Sequence, residues 1–203
     1  MSKNVWTVLC TACQETIHVR LQDDVTDMEK TCTELLEILA KETQIIHVVD
    51  DVSKIIKEQA ITYAEGLDKI CFIIDRDRES FVSHPENDQY SYVLNKCKDN
   101  GFGFYLTNPC FEFWLLLHFD EVMNLDMGKL LENPKVTSKR RYTEQQLRVL
   151  MPGFTKAKYN VAELMQRIDK AILNEKRFCE DDQELEHTVG SKVGLLLEEL
   201  RKQ

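Results

Sequence analysis

Between residues 69 and 75 the chain reads Lys-Ile-Cys-Phe-Ile-Ile-Asp, and it continues as Arg76-Asp77. A short apolar run rich in β-branched and aromatic residues reads as a strand buried on both faces. Asp75 and Asp77 then stand two residues apart at its carboxyl end, where open α/β sheets hold their ligands. Two acids so close together at the end of a buried strand call for neutralisation. A divalent cation, Mg²⁺ or Mn²⁺, supplies it through hard oxygen ligands. The competing reading is that both acids open a solvated turn, for which Asp is common.

The segments around this strand alternate. Residues 4–10 form a first strand candidate, and from Thr26 the positions Met28, Cys32, Leu35, Leu36 and Leu39 follow helical spacing to about Glu42. Thr26 with Glu29 three residues on is a capping pattern. Gln44 to Val49 reads as a second buried strand, and Asp51 opens a helix that stops near Glu65-Gly66. After the Asp75 strand come a polar loop over 79–86, a helix over 87–98, a strand over 102–106 and an apolar helix over 110–119. Strict alternation predicts the α/β class, with a sheet of about four mostly parallel strands flanked by helices.

This domain spans residues 1–120. Residues 121–203 carry a basic insertion and C-terminal helices packed on it: a short helix near 144–150, a longer one through Val161, Leu164, Met165, Ile168 and Ile172, and a last one over 189–200. The acidic run 180–184 reads as a solvated connector.

Composition narrows the class. Apolar residues make up 43 % of the chain, enough for a core. Seven glycines and four prolines argue against a loop-rich all-β fold. No stretch approaches the roughly 18 apolar residues of a membrane span, and the N-terminus lacks a signal-peptide core, so a soluble cytoplasmic protein with no membrane contact is expected. Cys32, Cys71, Cys97 and Cys110 sit in apolar patterns as buried thiols of a reducing compartment. Cys10-Thr-Ala-Cys13 has zinc or redox spacing but no second ligand pair.

The net charge of −9 is unevenly spread. From Lys129 to Lys158 eight basic residues face two acids, a local +6 that leaves −15 for the remainder. Such an island on an acidic body is an electrostatic footprint for phosphates, with Lys139, Arg140, Arg141, Arg148, Lys156 and Lys158 as candidate nucleic-acid contacts. The alternative is a solvated loop facing an acidic patch.

Glu112 is a single acid in the apolar stretch Leu106-Thr-Asn-Pro-Cys-Phe-Glu-Phe-Trp-Leu-Leu-Leu-His-Phe119. Its side chain can reach back toward Asn108 and the end of the preceding strand, or simply balance the helix dipole. His118, six residues on, lies on another face and reads as a core histidine rather than a catalyst.

Asp75-Arg-Asp77 after a buried strand, followed by Asn108-Pro-Cys-Phe-Glu-Phe-Trp-Leu-Leu-Leu-His118, closely resembles the RloB-like family. The likeness continues through Tyr159–Ile172 and Glu186-His-Thr-Val-Gly-Ser-Lys-Val to Glu199. It implies a Toprim-type, Rossmann-like domain of a bacterial anti-phage (abortive infection) system: a metal-dependent nuclease. Asp75 and Asp77 would hold Mg²⁺ or Mn²⁺, and a glutamate would act as general acid or base or as a further ligand. The implied partners are a nucleic acid and an ATPase of the ATP-binding-cassette kind, and an oligomeric assembly stays open.

The family pattern also implies a Glu-Gly turn after the first strand. Here Thr11-Ala12 stands in that place, with Glu15 four residues later. Thr11 cannot act as a carboxylate. Glu15, Glu79 and Glu112 are the candidate substitutes, and Asp75, Asp77, Glu15 and Glu112 together form the candidate catalytic set. A regulatory or binding subunit with a decayed site is the alternative. A small-nucleotide-binding module is weaker, because no glycine-rich phosphate loop is present and no organic cofactor site is expected.

Overall fold

The computed structural model describes residues 5–10, 16–20, 49, 52–58, 68–76, 83–84, 87–156 and 158–202. The chain is a mixed α/β protein that divides into two units: residues 1–74 with 78–105, and residues 75–77 with 106–203. Among the described residues, no helix is long and apolar enough to cross a membrane.

The first unit contains β1 (Val5–Cys10), β2 (Thr16–Arg20), α1 (Val52–Glu58), β3 (Lys69–Asp75), a small hairpin of β4 (Ser83–His84) and β5 (Asn87–Asp88), α2 (Gln89–Asp99) and the start of β6 (Gly103–Asn108). Its strand order is β2-β1-β3-β6. β1 runs parallel to β3, with Trp6 opposite Lys69 and Cys10 opposite Ile73. It is antiparallel to β2, with Val5 opposite Arg20.

The sheet is therefore mixed, which corrects the expectation of about four mostly parallel strands. Thr16-Ile-His-Val-Arg20 alternates polar with apolar residues and returns directly on β1, as an antiparallel neighbour can after a short connection. The helix expected over 26–42 and most of the strand expected over 44–49 lie outside the described residues, while Val49 itself is helical.

β3 is buried from Ile70 to Ile74, as its apolar run requires. At roughly 1.5–3 kcal/mol per fully buried large side chain, Phe72 and Ile74 alone are a substantial part of this core. Gly103 opens β6 because a Cβ there would lie 2.6 Å from the Tyr105 ring and 3.0 Å from Cys71 Sγ. The polar loop expected over 79–86 holds β4. Asn87, expected in the helix, instead belongs to β5, so α2 begins at Gln89, where the Asp88 side chain accepts from the Ser91 N–H at 3.0 Å.

The second unit takes Asp75–Asp77 and the end of β6, then α3 (Phe111–Leu116), a 3₁₀ turn (Asp120–Asn124) and α4 (Met127–Glu132). A hairpin of β7 (Lys135–Thr137) and β8 (Arg140–Arg141) follows, then α5 (Tyr142–Leu150), α6 (Val161–Met165), α7 (Ile168–Glu175), β9 (Gly190–Ser191) and α8 (Val193–Arg201). Every residue of α3 is buried, and the helix packs on α5, α7 and β9. The end of β6 pairs antiparallel with β9, Thr107 opposite Ser191, and their hydroxyls meet at 3.1 Å.

Three sequence expectations change here. The basic insertion, expected to hold one short helix near 144–150, also holds a 3₁₀ turn, α4 and the β7–β8 hairpin. The single helix expected through Ile172 breaks at Gln166–Arg167. The last helix starts at Val193, since Gly190 and Ser191 are drawn into strand pairing with β6.

Candidate functional site

Asp75 ends β3 half-buried, and Asp77 and Glu15 lie outside the described residues. Just past the strand, the Arg76 N–H donates to the Thr107 carbonyl at 2.9 Å, which brings Arg76 alongside the end of β6. The Arg76 side chain is buried, with its guanidinium 3.6 Å from the Glu186 carboxylate. Glu186 Oε2 also lies 3.6 Å from Nε2 of the exposed His187. Asn108 holds this loop in place: its amide donates to the Leu185 and Glu186 carbonyls at 2.7 and 3.1 Å. Its Oδ1 is buried without a hydrogen-bond partner among the described residues.

Cys110 and Glu112 follow directly. Cys110 opens α3, and Glu112 sits in its first turn, 7 % exposed. Burial pushes the Cys110 thiol well up, and the charges of Glu112 and Asp75 push it further. Asp75 and Glu112 thus act on one sulfur, although 37 positions separate them in the chain. The thiol stays protonated and uncharged at neutral pH, a poor nucleophile.

Asn133 locks the far side of the cluster. It ends α4 in the left-handed conformation, φ 43°. Its Oδ1 accepts from the Thr143 backbone N–H at 3.0 Å and from the Thr143 hydroxyl at 3.1 Å, while its amide reaches Cys110 Sγ at 3.4 Å. One buried side chain therefore ties α4, the start of α5 and the start of α3 together.

Glu112 is paired with Lys156, Nζ to Oε1 at 2.8 Å. Burial opposes the Lys156 charge, but the charge and hydrogen bond of Glu112, with Cys110 and Glu144 behind, outweigh it and raise the ammonium above its usual range. Lys156 also lines a cavity of about 350 Å³ with Lys139, Arg140, Glu144, Arg148, Phe154 and Thr155. Four of the six basic residues singled out in the sequence meet in that cavity. Arg141 turns away to donate to the Asn133 carbonyl at 3.3 Å. Lys158 is exposed, its backbone bonded to Thr155 in both directions at 3.0 Å.

His118 is fully buried, Nδ1 donating to the Trp114 carbonyl at 3.2 Å, with the ring edge-on to Trp114. Burial lowers its pKa to about 4, so it is neutral and structural, in line with the core reading.

Sequence reasoning read Cys110 only as a core thiol, and it missed the roles of Asn133 and Glu186 and the Lys156–Glu112 pair. Arg76–Glu186 and Lys156–Glu112 each join residues far apart in the chain, and no local pattern signals such contacts. For Cys110 a signal existed: its place beside Pro109 at the mouth of the apolar helix.

Among the described residues, no three His, Cys, Asp or Glu side chains gather as a metal site. The Asp75 and Glu112 carboxylates are hard oxygen donors, and Glu112 is held by Lys156.

A protein-family model described as RloB-like protein matches residues 12–200. No curated protein and no solved structure matches the chain.

Proposed function

The chain belongs to the RloB-like family, and from that premise we propose that it is a Mg²⁺-dependent nuclease with a Toprim-type, Rossmann-like domain, acting in bacterial anti-phage defence. The observation that supports this reading is the pairing of the buried Glu112 with Lys156 at 2.8 Å, on the lining of a basic cavity, in a chain whose Asp75 closes a buried strand.

Asp75 with Asp77 would hold the cation, which when bound supplies charge neutralisation for a phosphodiester and a more acidic water. The basic cavity draws the nucleic-acid backbone in through its positive charge. Water oxygen bonds to phosphorus, the bond from phosphorus to the leaving sugar oxygen breaks, and that oxygen takes a proton. Glu112 is the carboxyl group available for the proton transfers, taking one from the attacking water and returning one to the leaving oxygen.

A second reading is favoured by two specific observations. Thr11 stands where the family pattern has a glutamate, and Glu112 is engaged by Lys156. Under it, the chain is a regulatory or binding subunit, possessing the basic surface but not the cutting chemistry, and serves an ATP-binding-cassette ATPase partner.

The experiment is a cleavage assay of the purified protein on tRNA, single-stranded DNA and duplex DNA with Mg²⁺ or Mn²⁺. Cutting that needs the metal and disappears in Asp75→Ala and Asp77→Ala supports the nuclease. No cutting in the presence of the ATPase partner, with partner binding retained, supports the subunit.

A further inference from the structure

The basic cavity contains more than a charge run. Lys139 and Arg140 come from the β7–β8 hairpin, Arg148 from α5, and Lys156 from the turn that follows α5. Three separate pieces of backbone therefore contribute basic residues to the lining of one space of about 350 Å³. Among the described residues, Lys139, Arg140 and Arg148 make no ion pair, and Lys156 is paired with Glu112. Glu144, the one carboxylate in the lining, accepts from the Arg141 backbone N–H at 3.0 Å, which fixes it at the start of α5.

Charge and size both select a ligand. Four cations face one carboxylate, and one of the four is held by Glu112, which leaves a surplus of two positive charges. A phosphomonoester carries about 1.5 to 2 negative charges at neutral pH, whereas an internal phosphodiester carries one. Arg140 and Arg148 offer the forked donors that suit a phosphate with three free oxygens. The volume is near the lower end of ligand pockets, roughly 300–1,000 Å³, which is room for about one nucleotide.

We propose that the cavity lined by Lys139, Arg140, Arg148 and Lys156 binds a phosphomonoester, the terminal phosphate of a nucleic-acid strand or of a free mononucleotide. The inference deepens the nuclease reading by naming which part of the nucleic acid the island takes. It rests on that reading only for the choice of a nucleotide as the bearer of the phosphate.

The test is fluorescence-anisotropy binding of the full chain, in EDTA so that nothing is cut. The probes are a 3′-labelled single-stranded oligonucleotide with a 5′-phosphate and the same oligonucleotide with a 5′-hydroxyl, with AMP as competitor. Binding about tenfold tighter to the phosphorylated probe, with AMP a much weaker competitor, supports a strand end. AMP competing as well as the phosphorylated oligonucleotide supports a free nucleotide. Arg140→Ala and Arg148→Ala, checked for folding by circular dichroism, should bring the phosphate-to-hydroxyl ratio close to one. If either arginine variant unfolds, Lys139→Ala at the exposed hairpin turn should still lower the ratio. Equal affinity for the two probes without displacement by AMP overturns the proposal, and so does a phosphate preference that survives the cavity substitutions. A protein that shows the preference but never cuts keeps this inference and loses the nuclease. One that cuts with Mg²⁺ and binds both ends alike loses this inference alone.

Discussion

The ammonium of Lys156 stands 2.8 Å from the carboxylate of Glu112 and joins an exposed turn to a buried helix. The Glu112 side chain is 9 % exposed and that of Lys156 47 %, so the pair straddles the boundary between interior and solvent. Removing one member of a fully buried pair costs about 3–5 kcal/mol. The half-exposed ammonium is partly screened, and about 1–2 kcal/mol is expected for Lys156→Met. A double-mutant cycle with Glu112→Gln, followed by urea unfolding, should show coupling of about 1 kcal/mol. Strictly additive losses would show that the two groups do not stabilise each other.

The basic island should show itself in salt dependence. Arg140→Ala combined with Arg141→Ala should weaken binding to single-stranded nucleic acid. It should also lower the slope of log K against log salt by about 0.7 for each phosphate that is no longer neutralised. Arg140 is expected to contribute most, since Arg141 is engaged with the Asn133 carbonyl. A slope identical to that of the unsubstituted protein would remove these residues from the interface.

His118 makes stability sensitive to acid. Burial lowers its pKa in the folded protein to about 4 from 6.5. Between those values the unfolded chain binds the additional proton, so stability is lost as pH falls from about 6.5 toward about 4. His118→Asn can still donate to the Trp114 carbonyl but has no proton to gain. Urea midpoints at pH 7 and pH 5 should therefore differ less for that variant. Equal pH dependence in both proteins would contradict the assignment.

Glu175 works in the opposite direction. Its carboxylate oxygens accept from the Gly194 and Leu195 N–H groups at 2.8 and 2.9 Å, at the start of α8. Burial nevertheless pushes its pKa up to about 8 from 4.5. The folded state holds the additional proton in that window, so stability falls as pH rises from about 4.5 to about 8 and levels off beyond. Glu175→Gln should flatten this slope in denaturation series at pH 6 and pH 8.5.

The same packing explains why residue 194 is glycine. A Cβ there would lie 2.7 Å from Glu175 Oε1. Gly194→Ala should cost about 1–3 kcal/mol through overpacking, a loss that thermal or urea unfolding will measure. Full stability in that variant would mean that the carboxyl group is free to withdraw.

Elements with strong periodicity were legible from the chain. The β3 run, the strand expected over 102–106 and found over 103–108, the apolar α3 and the helices near 89–99 and 142–150 all carry their signal within a few neighbouring residues. The mixed character of the sheet was not legible. β2 is five residues long and β9 two, and the partner across each strand is what makes them strands. The break at Gln166–Arg167 was likewise hidden. Arg167 stacks its guanidinium 4.8 Å from the Phe119 ring, on a residue 48 positions earlier.

At the site the division is similar. Asp75, Glu112 and the basic residues could be named in advance, because an acid in an apolar run and a cluster of like charge stand out against their surroundings. Which residues carry unusual chemistry was written in short stretches of chain, since burial preference and charge density are local properties. That Glu112 meets Lys156, that Cys110 lies in the field of both Asp75 and Glu112, and that four cations share one cavity came from folding alone. Those relations depend on chain closure over tens of residues. Its entropic cost is met by the packing of the whole unit around α3, and no local pattern encodes it.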